Sequence, residues 1–247
     1  MGRRQRRAKH ETGPAAVAHA AGADRRQRLR GLLGPRLDLI GAAAIALAFV
    51  AHLFATSDPF LGSGTDMVSM EHPLHAFAAS WLGRGVLPLW NPYALGGVPF
   101  QTGMHGYLYP GWWTGAVLPV DFDIKLGIAL HLMLAAVGAT WFARGRVESR
   151  AAALLAGLAF ALSGFFVAHL YAGHRTLVAT AAWLPWLAGA VDRAARLGPR
   201  WLLPGAAVAG LALLSGHHQV LYIGCGALLV WLLADRASPP GPLSGER

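Results

Sequence analysis

Apolar stretches about as long as a membrane-spanning helix are the feature that most constrains how this chain can fold. They occupy residues 37–55, 125–143, 151–171, 176–191, 202–215 and 220–234. A helix rises about 1.5 Å per residue, so about 20 residues cross the roughly 30 Å of hydrocarbon in a bilayer. The pattern predicts an all-α integral membrane protein, a polytopic helical bundle of about six transmembrane helices, of which the last two are short.

The composition indicates the same fold class. Hydrophobic residues make up 55% of the chain and charged residues only 13%, which leaves too little polar surface to cover a water-soluble globule. We therefore expect the lipid bilayer to cover much of the protein. The single cysteine, Cys225, lies inside an apolar stretch, so the sequence predicts neither an intramolecular disulfide nor a thiolate metal cluster.

The net charge of +9 comes from basic residues that flank the apolar stretches. Ten of the 21 lysines and arginines precede residue 37. Most of the others lie in short gaps, namely Arg144, Arg146, Arg150, Arg193, Arg196, Arg200 and Arg236. Basic residues concentrate on the cytoplasmic side of membrane proteins. The distribution predicts a multi-pass protein of the cell membrane with the N-terminus and C-terminus cytoplasmic, and it argues against nucleic-acid binding.

The chain is expected to have three regions. Residues 1–36 are typical of a basic, disordered cytoplasmic tail, residues 37–235 of a transmembrane domain and residues 236–247 of a flexible C-terminal tail. No small-x-small cleavage site follows the first apolar stretch, so we expect an uncleaved signal anchor. The large loop at 56–124 holds five carboxylates and one basic residue, Arg84, and is therefore expected to be extracytoplasmic.

Part of this loop has helical spacing. Apolar residues that recur after Pro73 predict an interfacial helix. Its apolar face would carry Leu74, Phe77, Ala78, Trp81 and Leu82. Its polar face would carry His75, Ser80 and Arg84.

Proline, glycine and aromatic residues dominate the rest of the loop. The runs 87–93 and 96–100 predict a rigid extended segment, in which Trp90 and Asn91 would line a substrate cavity or the segment would brace a lid. An aromatic cluster follows, made of Tyr107, Tyr109, Trp112 and Trp113. It would anchor the loop at the headgroup level or stack on a substrate.

Ionisable and other polar residues concentrate on the predicted outer side. The loop contributes Asp66, Glu71, His72, His75 and His105, and two short turns contribute His174, Arg175, His217, His218 and Gln219. Asp66 follows the flexible segment Gly62–Thr65, and its carboxylate could accept a proton from an attacking hydroxyl or be a solvated turn residue. Asp66 and Glu71 could also hold a divalent metal ion, although the sequence makes no cofactor certain.

The two short turns carry the groups best suited to an anion. The positive-inside rule gives no reason for Arg175 in an outer turn, so a bound anion such as a phosphate headgroup would explain it. His174, His217 and His218 could bind the same headgroup or a metal ion, or could only make hydrogen bonds at the membrane interface.

Several motifs occur in a recognisable order. In the loop they are Asp66, seven residues before Pro73, then the segments 76–78, 85–92 and 96–100. Downstream they are Tyr109-Pro110, His131, Ser163-Gly164 and the segments 183–185 and 216–219. Together they resemble the YfhO-like family of bacterial membrane proteins over residues 37–234.

This resemblance implies a GT-C type glycosyltransferase that transfers a sugar from a polyprenyl-phosphate donor on the extracytoplasmic face to a cell-envelope glycan or lipid acceptor. Asp66 matches the acidic residue of the family's first outer loop. Family members are usually longer, so this chain resembles an N-terminal portion. It could be truncated, be a reduced relative without activity, or rely on a second chain that supplies the missing helices.

Two other functions remain open. A non-catalytic membrane protein that binds or moves a lipid-linked sugar would have the same outer polar residues, but it would not need the Asp66 carboxylate. A metal sensor built from outer histidines would retain zinc through His217 and His218, although two adjacent histidines suit tetrahedral coordination poorly.

Overall fold

The computed structural model describes residues 34–56, 66–100 and 106–237. Residues 1–33 of the predicted tail 1–36, residues 238–247 of the predicted tail 236–247, the Gly62–Thr65 segment and His105 lie outside the described residues. The chain divides into two units, Met1–Leu37 and Asp38–Arg247. Of the first unit, the structure describes the 3-10 helix Gly34–Arg36 and the start of the helix that follows it.

The described residues are mostly helical. They form eight α-helices, which are α1 (Leu37–Val50), α2 (His72–Leu82), α3 (Val120–Ala143), α4 (Arg150–Ala161), α5 (Gly164–Ala172), α6 (Arg175–Leu197), α7 (Leu202–Leu214) and α8 (His218–Ala237). Short 3-10 helices lie at Ala51–Ala55, Pro110–Ala116 and Pro199–Trp201, and a π-helical turn at Met67–Glu71. Strands β1 (Trp90–Asn91) and β2 (Val98–Pro99) pair antiparallel, with Trp90 opposite Pro99.

Four helical segments are long and apolar enough to cross a membrane, judged by length and composition. They are Leu37–Ala55, Val120–Ala143, Arg150–Ala172 and His218–Asp235. Pro199–Leu214 is a shorter apolar helix, and α6 is long enough at 23 residues but too polar to belong to the four. These helices indicate a membrane-embedded, all-α protein, as the apolar stretches predict.

Helix boundaries differ from the sequence prediction at three places. Helix α3 begins at Val120, so Asp121 and Asp123 belong to its first turn and not to a loop. The third apolar stretch is broken after Ala161, where α5 begins at Gly164. The sixth stretch, predicted to be short, extends over the 20 residues of α8.

Helices α3 and α6 lie at the centre of the bundle. Helix α3 packs against α4 and α6, and α6 packs against α7 and α8. Small residues permit this close packing, because a Cβ at Gly157 of α4 would overlap the Thr140 side chain of α3. The main core joins apolar side chains of α1, α3, α5 and α6, including the fully buried Ile124 and Leu132.

Helix α2 forms where the sequence predicts a helix, but His75 lies on the face opposite to the predicted one. It packs against the 3-10 helix Pro110–Ala116 and against α3. His75, predicted on the polar face, is only 4% exposed and lies on the inner face with Ala78 and Ala79. The prediction was wrong because an acidic partner on α3, Asp123, makes the buried position favourable for an imidazole.

Candidate functional site

A buried arginine lies at one end of the bundle. Arg175, the first residue of α6, is 3% exposed, and its Nη2 lies 3.3 Å from Glu71 Oε2. Thr176 donates a hydrogen bond to the other Glu71 oxygen at 3.0 Å. The guanidinium carbon lies 4.0 Å from the ring centroid of Trp112, a cation–π contact. We call the polar region around these side chains the Arg175 end.

One nitrogen of the Arg175 guanidinium is not engaged by Glu71. Arg175 Nη1 is buried and has no hydrogen-bond partner in the part of the chain that the structure describes, and the same holds for Trp112 Nε1. Buried donors are nearly always paired, with protein or with a bound molecule. The guanidinium therefore has a donor available for an anion, beyond those that Glu71 engages.

A second carboxylate lies close to this pair. Asp123 accepts hydrogen bonds from His75 Nε2 at 2.6 Å and from Thr114 Oγ1 at 2.5 Å. Burial, and next the positive charge of Arg175, lowers the pKa of His75 below its ordinary value, although Asp123 opposes this effect. His75 is therefore a neutral donor to Asp123 near neutral pH. Gly115 leaves room for the Asp123 and His75 side chains, since a Cβ at residue 115 would lie 3.0 Å from each of them.

Asp66 lies at the same end and is more exposed. Its Oδ2 is 3.1 Å from His174 Nε2, and the two side chains are 50% and 34% exposed. His174 directly precedes Arg175, so the Asp66 pair and the Arg175 pair are joined through one peptide bond. The other ring nitrogen of His174 lies 2.8 Å from Nδ1 of His169 in α5.

Beneath Trp112 lies a buried hydrogen-bonded chain of ring groups. His131 of α3 donates from Nδ1 to the Gly127 carbonyl at 2.6 Å, so its Nε2 accepts from the Tyr109 hydroxyl at 2.9 Å. The Tyr109 oxygen in turn accepts from Trp183 Nε1 at 2.9 Å. Burial raises the pKa of Tyr109, which keeps the phenol protonated. This chain supports the ring on which the Arg175 guanidinium rests.

The aromatic cluster is not a belt at the headgroup level. Tyr107, Tyr109 and Trp112 are each at most 5% exposed inside the protein, while Trp113 is half exposed. The belt interpretation fails for the three buried rings because they pack on Phe100, His131 and Arg175.

The turn between α7 and α8 borders a cavity of about 260 Å³. Its lining includes Tyr107, Leu213, Leu214, His218 and Tyr222. His217 donates its backbone N–H to Thr180 Oγ1 at 3.2 Å, and its buried Nδ1 has no partner among the described residues. Burial also lowers the pKa of His217. His218 and Gln219 are exposed at the first turn of α8.

Trp90 and Asn91 make the contacts of a hairpin. The Trp90 ring covers Gly97, where a Cβ would lie 2.6 Å from the ring. Asn91 is buried, and its side-chain oxygen accepts a hydrogen bond from the Tyr93 backbone N–H at 2.9 Å. Neither has a recorded contact with Arg175 or Asp66 within the described residues, so their proposed role in a substrate cavity stays a prediction.

The structure brings several sequence-predicted residues together in pairs. Asp66 pairs with His174, and Glu71 pairs with Arg175. These two carboxylates have different partners, and a divalent site shared by Asp66 and Glu71 stays a prediction. Among residues 34–56, 66–100 and 106–237, no group of three or more His, Cys, Asp or Glu side chains could hold a metal ion.

Four functional candidates were missed by the sequence analysis: Asp123 as a buried partner, Trp112 as a guanidinium platform, Thr176 and His169. One of these contacts, between His169 and His174, had a signal in the sequence. A glycine that ends a helix, here Gly173, reverses the direction of the chain and can bring the residues on its two sides together.

No protein-family model matches the chain, and neither a curated protein nor a solved structure matches it. The resemblance to the YfhO-like family therefore stays a prediction that depends on the motifs alone.

Proposed function

We propose that the chain is a membrane glycosyltransferase, or the N-terminal half of one, that transfers a sugar from a polyprenyl-phosphate donor on the extracytoplasmic face. The observation that carries the proposal is the Arg175 end itself. A buried guanidinium with an available N–H lies one residue from a histidine that pairs with a half-exposed carboxylate. An anion site and a candidate base are thereby adjacent.

Arg175 is suited to hold the phosphate of the donor. Glu71 engages Nε and Nη2 of the guanidinium, at 3.4 and 3.3 Å, and leaves Nη1 for a phosphate oxygen. Charge-assisted hydrogen bonds to phosphate are among the strong ones, and they strengthen in a site that excludes water. The same guanidinium would stabilise the negative charge that develops on the leaving phosphate.

Asp66 is suited to act as the base. Its Oδ2 accepts from His174, and its Oδ1 has no partner among the described residues. In the proposed step, the acceptor hydroxyl gives its proton to Oδ1 while its oxygen bonds to the anomeric carbon of the sugar. The bond from that carbon to the phosphate oxygen breaks, and its electron pair leaves with the polyprenyl phosphate.

In the proposed orientation, the Arg175 end lies on the extracytoplasmic side of the membrane. Support comes from the opposite end of the bundle, where Arg144, Arg146 and Arg196 gather near the ends of α3 and α6. Basic residues of this kind mark the cytoplasmic side. With six crossings, α6 and the Pro199–Leu214 helix would span the bilayer beside the four apolar segments. The polar residues of α6 are tolerated because neighbouring helices bury most of this helix, and the bilayer can thin locally around a short helix.

The test is the transfer of labelled sugar from polyprenyl-phosphate donors in membranes that contain the protein or its Asp66→Asn variant. We expect the variant to lose about 100-fold or more of the activity, the usual contribution of a general base. Asp121→Asn is the matched control, since Asp121 is also a half-exposed carboxylate paired with a histidine, His72, at 2.8 Å. Equal activity of the Asp66 variant and the wild type would contradict the proposal.

The second candidate is a protein that binds or moves the lipid-linked sugar without catalysis. It is favoured by the separation of the two pairs, because Arg175 binds Glu71 and not Asp66. Donor binding that depends on Arg175, with no transfer by the wild type, would support this candidate. Arg175→Met is the variant to compare, because it keeps much of the side-chain volume and removes the donors.

A further inference from the structure

Three side chains at the Arg175 end form a continuous hydrogen-bonded chain. Asp66 Oδ2 lies 3.1 Å from His174 Nε2, and His174 Nδ1 lies 2.8 Å from His169 Nδ1. The two imidazole rings are 5.1 Å apart between centroids. His169 is part-buried in the last turn of α5 and also contacts the Phe165 ring at 4.6 Å.

The backbone brings the two histidines together. Helix α5 ends at Gly173, whose φ of 85° is a left-handed conformation that favours glycine. The His174 N–H then donates back to the His169 carbonyl at 2.9 Å, which aligns the two residues. A Cβ at Gly173 would overlap the backbone of Met67, so the glycine also lets the Asp66 segment approach the turn.

The hydrogen-bond roles in this chain follow from the chemistry of its ends. An ionised Asp66 only accepts, so a neutral His174 must carry its proton on Nε2. Its Nδ1 then has a lone pair facing His169, and the bond between the two rings requires His169 to donate from Nδ1. A histidine tautomer is set in this way by the partner of its second nitrogen.

We infer that His169 is a positioning residue that fixes His174 in the Nε2–H tautomer and thereby holds the Asp66 carboxylate ready to accept a proton. The inference deepens the proposed function and rests on it for its catalytic meaning. His169 acts through His174 and does not touch the substrate. Without the His169 donor, the His174 ring can flip or change its tautomer. Its Nε2–H then no longer always donates to the Asp66 carboxylate.

The first measurement is ¹⁵N NMR of the full chain, labelled in histidine and held in detergent micelles. Imidazole ¹⁵N shifts distinguish protonated from unprotonated nitrogens, and the His174 signals are those that disappear in His174→Gln. With His169 donating to Nδ1, we expect the His174 signals to show the proton on Nε2. In His169→Phe, which keeps the ring contact with Phe165, we expect a mixture of tautomers. His169→Asn places an amide N–H at the δ position and should restore the single tautomer.

The second measurement is sugar transfer by the same variants. Loss of one hydrogen bond worth about 1 kcal/mol corresponds to about a fivefold loss of activity in His169→Phe. His169→Asn should recover the wild-type activity. A purely structural role would not be rescued by asparagine, which does not fill the space of an imidazole ring.

The outcomes separate this inference from the proposed function. A His174 with both nitrogens protonated, with the proton on Nδ1, or with an unchanged spectrum in His169→Phe would overturn the inference even if transfer depends on Asp66. An absence of transfer in the wild type would contradict the proposal that this chain catalyses transfer by itself, and the spectra would still decide whether His169 sets the tautomer.

Discussion

The two polar ends of the bundle pair their carboxylates with different partners. At the Arg175 end, Asp66, Asp121 and Asp123 each pair with a histidine, and Glu71 pairs with Arg175. At the opposite end, which we call the Asp192 end, Asp38 pairs with Arg144, and Asp192 and Asp235 share Arg146 and Arg196. An arginine stays charged at any ordinary pH, whereas a histidine changes its charge between about pH 5 and pH 8.

Under the proposed function, the two ends would have different roles. At the Asp192 end, the permanent charge of Arg146, three residues after α3, links Asp192 of α6 to Asp235 of α8, and the Arg146 guanidinium carbon lies 4.4 Å from the Trp231 ring centroid. Such a network holds helices together and does not need to move a proton. The Arg175 end combines one permanent charge with groups that can gain or lose protons, and that combination is what acid–base chemistry requires.

The largest effect on stability is expected from breaking the buried pair at the Arg175 end. Glu71→Leu leaves the Arg175 guanidinium buried beside Trp112 without its direct partner, which should destabilise the protein by about 3–5 kcal/mol. The double variant Glu71→Leu with Arg175→Leu should recover much of this loss, because no buried charge remains. Unfolding in detergent micelles, followed by tryptophan fluorescence, measures both. A double variant as unstable as the single one would show that packing, and not charge, dominates there.

The next effect concerns the turn that joins the two pairs. Gly173→Ala introduces a Cβ at a φ of 85° and against the Met67 backbone, and should cost about 2 kcal/mol. It should also disturb the Asp66–His174 contact and so lower transfer. Gly198→Ala is the matched control, since its φ is 102° and no atom lies within 4 Å of the added Cβ. A loss of transfer confined to Gly173→Ala would locate the effect at the Arg175 end.

The sequence predicted the positions of the helices and part of the candidate site, depending on where each residue lies in the chain. The apolar stretches located the helices, and charge counting gathered Asp66, Glu71, His174 and Arg175 into one set. His75 was misplaced because helical spacing assigns a lone polar residue to the outer face, and its partner Asp123 lies 48 residues away. His169 was missed because it lies inside an apolar stretch, and the glycine between it and His174, Gly173, was the one signal in the sequence that their rings would meet.

A smaller effect is expected at the Asp192 end. Asp192→Asn removes a buried charge that accepts from Arg146 at 2.5 Å and from Arg196 at 2.8 Å, but Asp235 still pairs with both arginines. We expect a loss of about 1–2 kcal/mol in the free energy of unfolding, since the amide oxygen remains an acceptor. Sugar transfer by the folded variant should match that of the wild type. A selective loss of transfer would mean that the two ends are coupled.

The smallest and most specific effect is the response of stability to pH. The pKa of His75 is lowered in the folded protein by burial and by Arg175, with Asp123 and Glu71 opposing, so the unfolded chain binds a proton that the folded protein does not. Where the unfolded state binds more protons, stability rises with pH. The stability is therefore complete above the ordinary histidine pKa of about 6.5 and declines as pH falls below it.

A non-titrating variant isolates this contribution. His75→Gln keeps an N–H at the position of Nε2 and can still donate to Asp123, so the loss of stability between pH 7.5 and pH 5 should become smaller. His72→Gln is the control, because it changes the exposed pair with Asp121 and leaves the buried pair intact. Micelle unfolding over this pH range checks both variants. If His75→Gln and the wild type lose stability in parallel, protonation of the His75 imidazole is not what weakens the Arg175 end. His217 is then the next residue to replace, because burial lowers its pKa as well.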